Sequence, residues 1–164
     1  MEDIEARAPE IYVQPGESHL VTGSVILRTV LGSCVGVAFV ALGKSMAGFC
    51  HPMLPRHPGT RSIELSLACS RRYVDFAVRD AVQGLESYGV RRSDIQAKVF
   101  GGADVLKVTN EACRPTVGQL NCEVALEVLR EEGIDVVATS LGGTSGLTVE
   151  FYTETGEVRV RRLS

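Results

Sequence analysis

The chain has 164 residues, of which 45% are apolar and 23% charged, and its net charge is −3 with the histidines neutral. That length supports one core without staples, and the acidic balance argues against nucleic acid, whose phosphates need clustered Lys and Arg. Here the basic residues cluster no further than short pairs, Arg71-Arg72, Arg91-Arg92 and Arg161-Arg162.

Residues 1–20 carry scattered charges, Pro9, Pro15 and Gly16, and read as a partly irregular segment with a short strand near Ile11-Tyr12-Val13. The acidic start, Met1-Glu2-Asp3-Ile4-Glu5, is no signal peptide. Val25 to Val30 is rich in β-branched residues and predicts a strand. Val35 to Leu42 is apolar nearly throughout, the mark of a strand covered on both faces. A third strand over 45–50 follows a turn at Gly43-Lys44. Pro52, Pro55, Pro58 and Gly59 then forbid regular structure, so 52–70 reads as a long loop of the kind that often forms a binding lid.

Val74, Ala77, Val78, Ala81, Leu85 and Tyr88 recur at helical spacing, with Ser70 as a candidate cap and Gly89 as a left-handed stop. A strand over 95–100 ends at Gly101-Gly102, which tight-turn geometry alone explains, as it does Gly142-Gly143. A second helix over 117–132 places Leu120, Val124, Val128 and Leu129 on its buried stripe. Strands over 134–139, 147–152 and 158–163 close the chain. Strands outnumber helices by about seven to two and do not alternate as βα units, so the predicted class is α+β, a mixed or antiparallel sheet core with two main helices packed on it. The whole of 1–164 reads as a single domain. No apolar run is long enough to span a membrane.

The chemistry concentrates at Leu31-Gly32-Ser33-Cys34-Val35-Gly36 and at Gly48-Phe49-Cys50-His51-Pro52. Glycine permits a sharp turn under Cys34, where outward backbone N–H groups would hold an oxyanion. A strand–turn–strand path returns His51 to the same sheet end. An adjacent imidazole would draw the proton from a thiol that otherwise titrates near ~8.5. Cys50 precedes His51 and points to the opposite face, so it reads as core. A nucleophile and base need an orienting group. The hydroxyl of Thr29, or a main-chain carbonyl nearby, would serve, although Thr29 also reads as an ordinary β-branched strand residue.

Five cysteines, Cys34, Cys50, Cys69, Cys113 and Cys122, are an odd number without a CxxC spacing. That excludes neither thiol chemistry nor a reducing, cytoplasmic setting, but it disfavours disulfides and structural zinc. Cys50, His51 and His57 match no standard metal-ligand spacing, so no metal or cofactor is expected.

These blocks together resemble the chemoreceptor glutamine deamidase family, CheD, of bacterial and archaeal chemotaxis. The resemblance runs through Leu31 to Val35, His51 before Met53-Leu54-Pro55, Tyr73 to Ala77, Ala97 to Ala103, and Leu141-Gly142-Gly143 with Thr155 to Val158. It implies a cysteine-hydrolase fold like that of deamidating bacterial toxins, and hydrolysis of receptor glutamine side chains to glutamate. By position, Cys34 would be the nucleophile and His51 the base. A threonine upstream would be the third residue, for which Thr29 is chosen over its neighbour Arg28 because Arg cannot accept a hydrogen bond. The implied partners are the cytoplasmic part of a chemoreceptor and a CheC-type phosphatase. Two departures from the family pattern lie before Asn121, in Val117-Gly118-Gln119-Leu120, and at Gly146-Leu147-Thr148. The main alternative is a binding module that only docks to the phosphatase. A thiol amidase on small substrates is a third reading.

Overall fold

The structure is a computed structural model and describes residues 7–59, 66–105 and 114–164. It is α+β, with nine strands among the described residues in two mixed sheets. Strands β2 (Ser18–Thr22), β5 (Met46–Cys50), β4 (Val35–Ala41), β6 (Ile95–Gly101) and β7 (Asp135–Leu141) lie side by side in that order in the larger sheet. Strands β1 (Glu10–Tyr12), β3 (Ile26–Leu31), β8 (Leu147–Tyr152) and β9 (Glu157–Arg162) form the smaller one. The β1–β3 and β6–β7 pairs are parallel and the others antiparallel.

Two apolar layers hold these parts together. Helices α2 (Val74–Ser87) and α3 (Val117–Glu131) cover one face of the larger sheet, burying Val35, Val37, Phe39, Val78, Leu85, Val128 and Leu129. The second layer lies between the sheets and buries Leu27, Leu31, Ala38, Phe49, Phe100, Val149 and Phe151. Each large apolar side chain removed from water contributes about 1.5–3 kcal/mol. Successive β4 residues feed the two layers in turn, which explains why that strand is apolar without alternation.

The structure corrects several details of the expected core. The smaller sheet is a separate layer, and β2 begins inside the segment read as partly irregular. Ser18-His19-Leu20-Val21-Thr22 alternates weakly because β2 is the edge strand beyond β5. Ser70 does not cap α2. It ends a short helical turn, α1 (Leu67–Ser70), which Ser66 caps, whereas α2 begins after Tyr73 without a side-chain cap. Tyr88 lies beyond the α2 face and is exposed, and Gly89 follows it at φ 85°. In α3 the expected stripe is buried at Val124, Val128 and Leu129 and differs at its start. Leu120 is half-buried and Asn121 joins Val124, Ala125, Val128 and Leu129 inside. Of the expected loop over 52–70, residues 60–65 lie outside the described residues, as does Cys113. No described helix is long and apolar enough to cross a membrane.

Candidate active site

Antiparallel pairing decides which chain segments meet. In the β4–β5 pair, Val37 faces Cys50, so the residues before β4 and those after β5 share one end of the sheet. The Val35 N–H donates to the Pro52 carbonyl at 3.3 Å, which brings the Cys34 turn and the His51 segment side by side. Side-chain alternation then separates Cys50 from His51. Cys50 is fully buried on the helix side, where burial pushes its thiol up to about 12. The ring of His51 enters the layer between the sheets, and only 1% of the residue is exposed.

There it meets β3. His51 Nδ1 lies 2.9 Å from Thr29 Oγ1, and Thr29 Oγ1 donates to the Val13 carbonyl at 2.7 Å. The hydroxyl has one proton. Since that proton goes to Val13, Thr29 accepts from His51, and the imidazole carries its proton on Nδ1. Nε2 is left with a lone pair and without a hydrogen-bond partner among the described residues. Both candidates for the orienting group are therefore used, in series: the Thr29 hydroxyl first, a main-chain carbonyl behind it. Arg28, the neighbour in register, turns to the outer face of the smaller sheet and pairs with Glu10 at 3.2 Å and Glu150 at 3.6 Å. The backbone of His51 is clamped as well, its N–H donating to Glu17 O at 3.0 Å and its carbonyl accepting from Gly16 N at 2.7 Å.

The turn carrying Cys34 is held from behind. Gly32 O accepts from Ala103 N at 2.9 Å, Ser33 O from Asn121 Nδ2 at 2.9 Å, and Cys34 O from Gly102 N at 2.8 Å. In a planar trans peptide the carbonyl and the following N–H point in opposite directions. Pulling these carbonyls inward therefore aims the N–H groups of Ser33 and Cys34 outward, and neither donates to another of the described residues. The fit behind the turn is tight. A Cβ on Gly101, whose φ is 98°, would lie 2.4 Å from Cys34 O, and one on Gly102, whose φ is 68°, would lie 2.0 Å from Cys122 Sγ. Gly101-Gly102 thus does more than turn the chain, because its bare backbone lets α3 approach the cysteine turn.

The electrostatics describe a neutral resting pair. Burial pushes the Cys34 thiol above its ordinary value, with its own backbone N–H pulling the other way. Burial holds His51 below the usual imidazole range, opposed by the Val13 carbonyl and the Glu17 carboxylate. Both directions keep the proton on sulfur, and no hydrogen bond joins Sγ to Nε2. Both directions run against the expected thiolate–imidazolium ion pair and favour the thiol beside a neutral ring. Cys34 itself is partly exposed. Among the described residues no group of three His, Cys, Asp or Glu side chains is placed to hold a metal ion. His57 is engaged elsewhere, within 3.1 Å of both Ser70 Oγ and Gly59 N.

Sequence reasoning missed Val13, Glu17 and the placement of Asn121. Val13 acts through its main chain and left no side-chain signal, and Glu17 acts through its main chain and through the field of its carboxylate, which an acidic residue 34 positions before His51 does not announce. Asn121 did leave one, as a polar residue four before Ala125 on an otherwise apolar helical stripe.

A family profile described as CheD chemotactic sensory transduction matches residues 53–162. The chain belongs to the CheD family. That match begins after His51, but whole-chain relatives extend the likeness across the Cys34 turn. A protein of Geobacter sulfurreducens named probable chemoreceptor glutamine deamidase CheD 2 is 39% identical over 158 residues, 96% of this chain and 92% of that one. CheD proteins with the same probable assignment are 36% identical in Rhodospirillum rubrum, over 94% of this chain and 83% of theirs, and 36% identical in Archaeoglobus fulgidus, over 93% and 92%. Among solved structures, Neisseria meningitidis protein NMB0706 shares the fold with a TM-score of 0.53 at 13% identity, covering 84% of this chain and 65% of that one.

Proposed function

We propose that this CheD-family chain hydrolyses the side-chain amide of selected glutamines in chemoreceptors, leaving glutamate and releasing ammonia. Cys34 is the nucleophile, His51 the base and Thr29 its orienting group. The carrying observation is the relay His51 Nδ1–H to Thr29 Oγ1–H to Val13 O, which leaves Nε2 with a free lone pair at the sheet end that holds Cys34. The names of the relatives support the substrate class.

The reaction starts from the neutral pair. As substrate enters, Nε2 takes the thiol proton and Sγ attacks the carboxamide carbon, whose oxygen becomes an oxyanion held by the Ser33 and Cys34 N–H groups. The imidazolium returns that proton to the departing nitrogen, the C–N bond breaks, and a thioester and ammonia result. His51 then takes a proton from water, and the hydroxide adds to the thioester. Sulfur leaves with the proton, regenerating the thiol and releasing the glutamate side chain. Thr29 and Val13 hold the ring against rotation throughout and stabilise the transient imidazolium. The substrate glutamine lies in the cytoplasmic part of the receptor.

Mass spectrometry of a receptor cytoplasmic fragment incubated with the protein tests this. We expect glutamine positions to gain the mass of deamidation with the native chain and no conversion with Cys34→Ala or His51→Ala. Equal conversion by native protein and Cys34→Ala would end the proposal.

A further inference from the structure

We infer that Asn121 is a positioning residue that builds the oxyanion site by fixing the peptide plane between Ser33 and Cys34. The inference rests on the deamidase reading above. Asn121 lies on α3, is fully buried, and sits on a stripe whose other members, Gly118, Val124, Ala125, Val128 and Leu129, carry no polar side-chain atom. Its Nδ2 donates to Ser33 O at 2.9 Å and to Met53 O at 3.0 Å. Its two acceptors are both carbonyls, so only an NH₂ group serves them, and the amide orientation is forced. Oδ1 is buried and has no partner among the described residues. A buried orphan acceptor costs free energy, so apolar packing alone does not explain an asparagine here.

The two bonds act on the two segments that must be aligned. Ser33 O belongs to the same peptide as the Cys34 N–H, so drawing that oxygen toward α3 aims the N–H at the opposite side, where the oxyanion forms. Met53 follows His51 by two residues, so the second bond fixes the histidine segment against the cysteine turn. The helix is itself seated on that turn. Thr116 caps α3 and also donates from Oγ1 to Asp104. A Cβ on Gly118 would lie 2.6 Å from Gly102 O and 2.7 Å from Ala103 O, so the first turn of α3 touches the strand end that holds Cys34 O and Gly32 O. Without Asn121, the Ser33–Cys34 peptide loses its only described partner at the carbonyl and is held only through its neighbours in the turn.

The test compares Asn121→Ala with Val124→Ala, which trims the same buried helix face but removes no hydrogen bond to either loop, and with Cys34→Ala. Steady-state kinetics on the receptor fragment and thermal unfolding are measured for each. Loss of one oxyanion donor costs about 10²–10³ in rate. A misaimed donor should cost somewhat less, so we expect Asn121→Ala to lower kcat about 10- to 100-fold with KM within about twofold. Val124→Ala should unfold at a similarly lowered temperature and keep the native kcat. Asn121→Asp sets a carboxylate oxygen against two carbonyls, and its kcat should be no better than that of the alanine variant. A folded Asn121→Ala with native kcat, or a kcat loss matched by Val124→Ala, overturns the inference while Cys34→Ala remains inactive. Activity in Cys34→Ala instead overturns the deamidase reading itself.

Discussion

Replacing Thr29 by Val keeps the shape of the side chain and removes one oxygen. That oxygen accepts from His51 Nδ1 at 2.9 Å and donates to Val13 O at 2.7 Å, at a residue only 2% exposed. The substitution therefore strands a buried donor and a buried acceptor. Each costs about 1–3 kcal/mol, so the loss of stability should be about 2–6 kcal/mol. In a chain of this size that lowers the melting temperature by about 5–20 °C. The functional effect is separate. With no acceptor at Nδ1, the imidazole is free to carry its proton on Nε2, where it no longer takes one from Cys34, and free to turn. An orientation preference of about 1.5–3 kcal/mol lost in this way lowers kcat by about 10- to 150-fold. Thr29→Ser keeps the oxygen and loses a methyl, which costs about 1 kcal/mol and should leave kcat within a few-fold of native. The assays are deamidation kinetics on the receptor fragment, thermal unfolding, and nitrogen NMR of His51 to read the tautomer. A folded Thr29→Val with native kcat and an Nδ1-protonated ring would refute the relay.

Two further outcomes follow from the same geometry. Gly101→Ala combines a φ of 98° with a Cβ 2.4 Å from Cys34 O. It should lose about 2–5 kcal/mol and most activity, whereas Gly133→Ala, at φ 70° with open space around it, should lose about 1–2 kcal/mol and no activity. Equal effects in unfolding and kinetic assays would show that the cysteine turn tolerates the extra atom. The second outcome concerns pH. His51 titrates below its unfolded value because burial disfavours its charge. Stability from the neutral ring is thus present above about 6.5 and is lost as the pH falls through the folded value, at up to about 1.36 kcal/mol per pH unit. The acid limb of kcat/KM should also lie below about 6.5. Chemical unfolding between pH 5 and 7.5 should show this slope in the native chain and a shallower one in His51→Ala, and identical slopes would remove the buried neutral histidine from the account.

The local grammar of the chain is readable from residue order alone. The apolar run of β4, the helical spacing of Val74 to Leu85, and glycine at 32, 89, 101 and 102 were all legible because each follows from backbone sterics or from which faces are covered. The nucleophile turn and the histidine strand were legible for the same reason, since two short strands and one hairpin turn leave few ways to arrange Cys34 and His51. What Thr29, Val13 and Asn121 do depended on partners 22, 16 and 88 residues away. Such contacts exist only once the smaller sheet lies on the larger one and α3 is seated against the Gly101-Gly102 bend. The ionisation of the pair was likewise decided by tertiary structure. A motif states which groups are present, but burial of the ring and the sulfur sets where their proton rests.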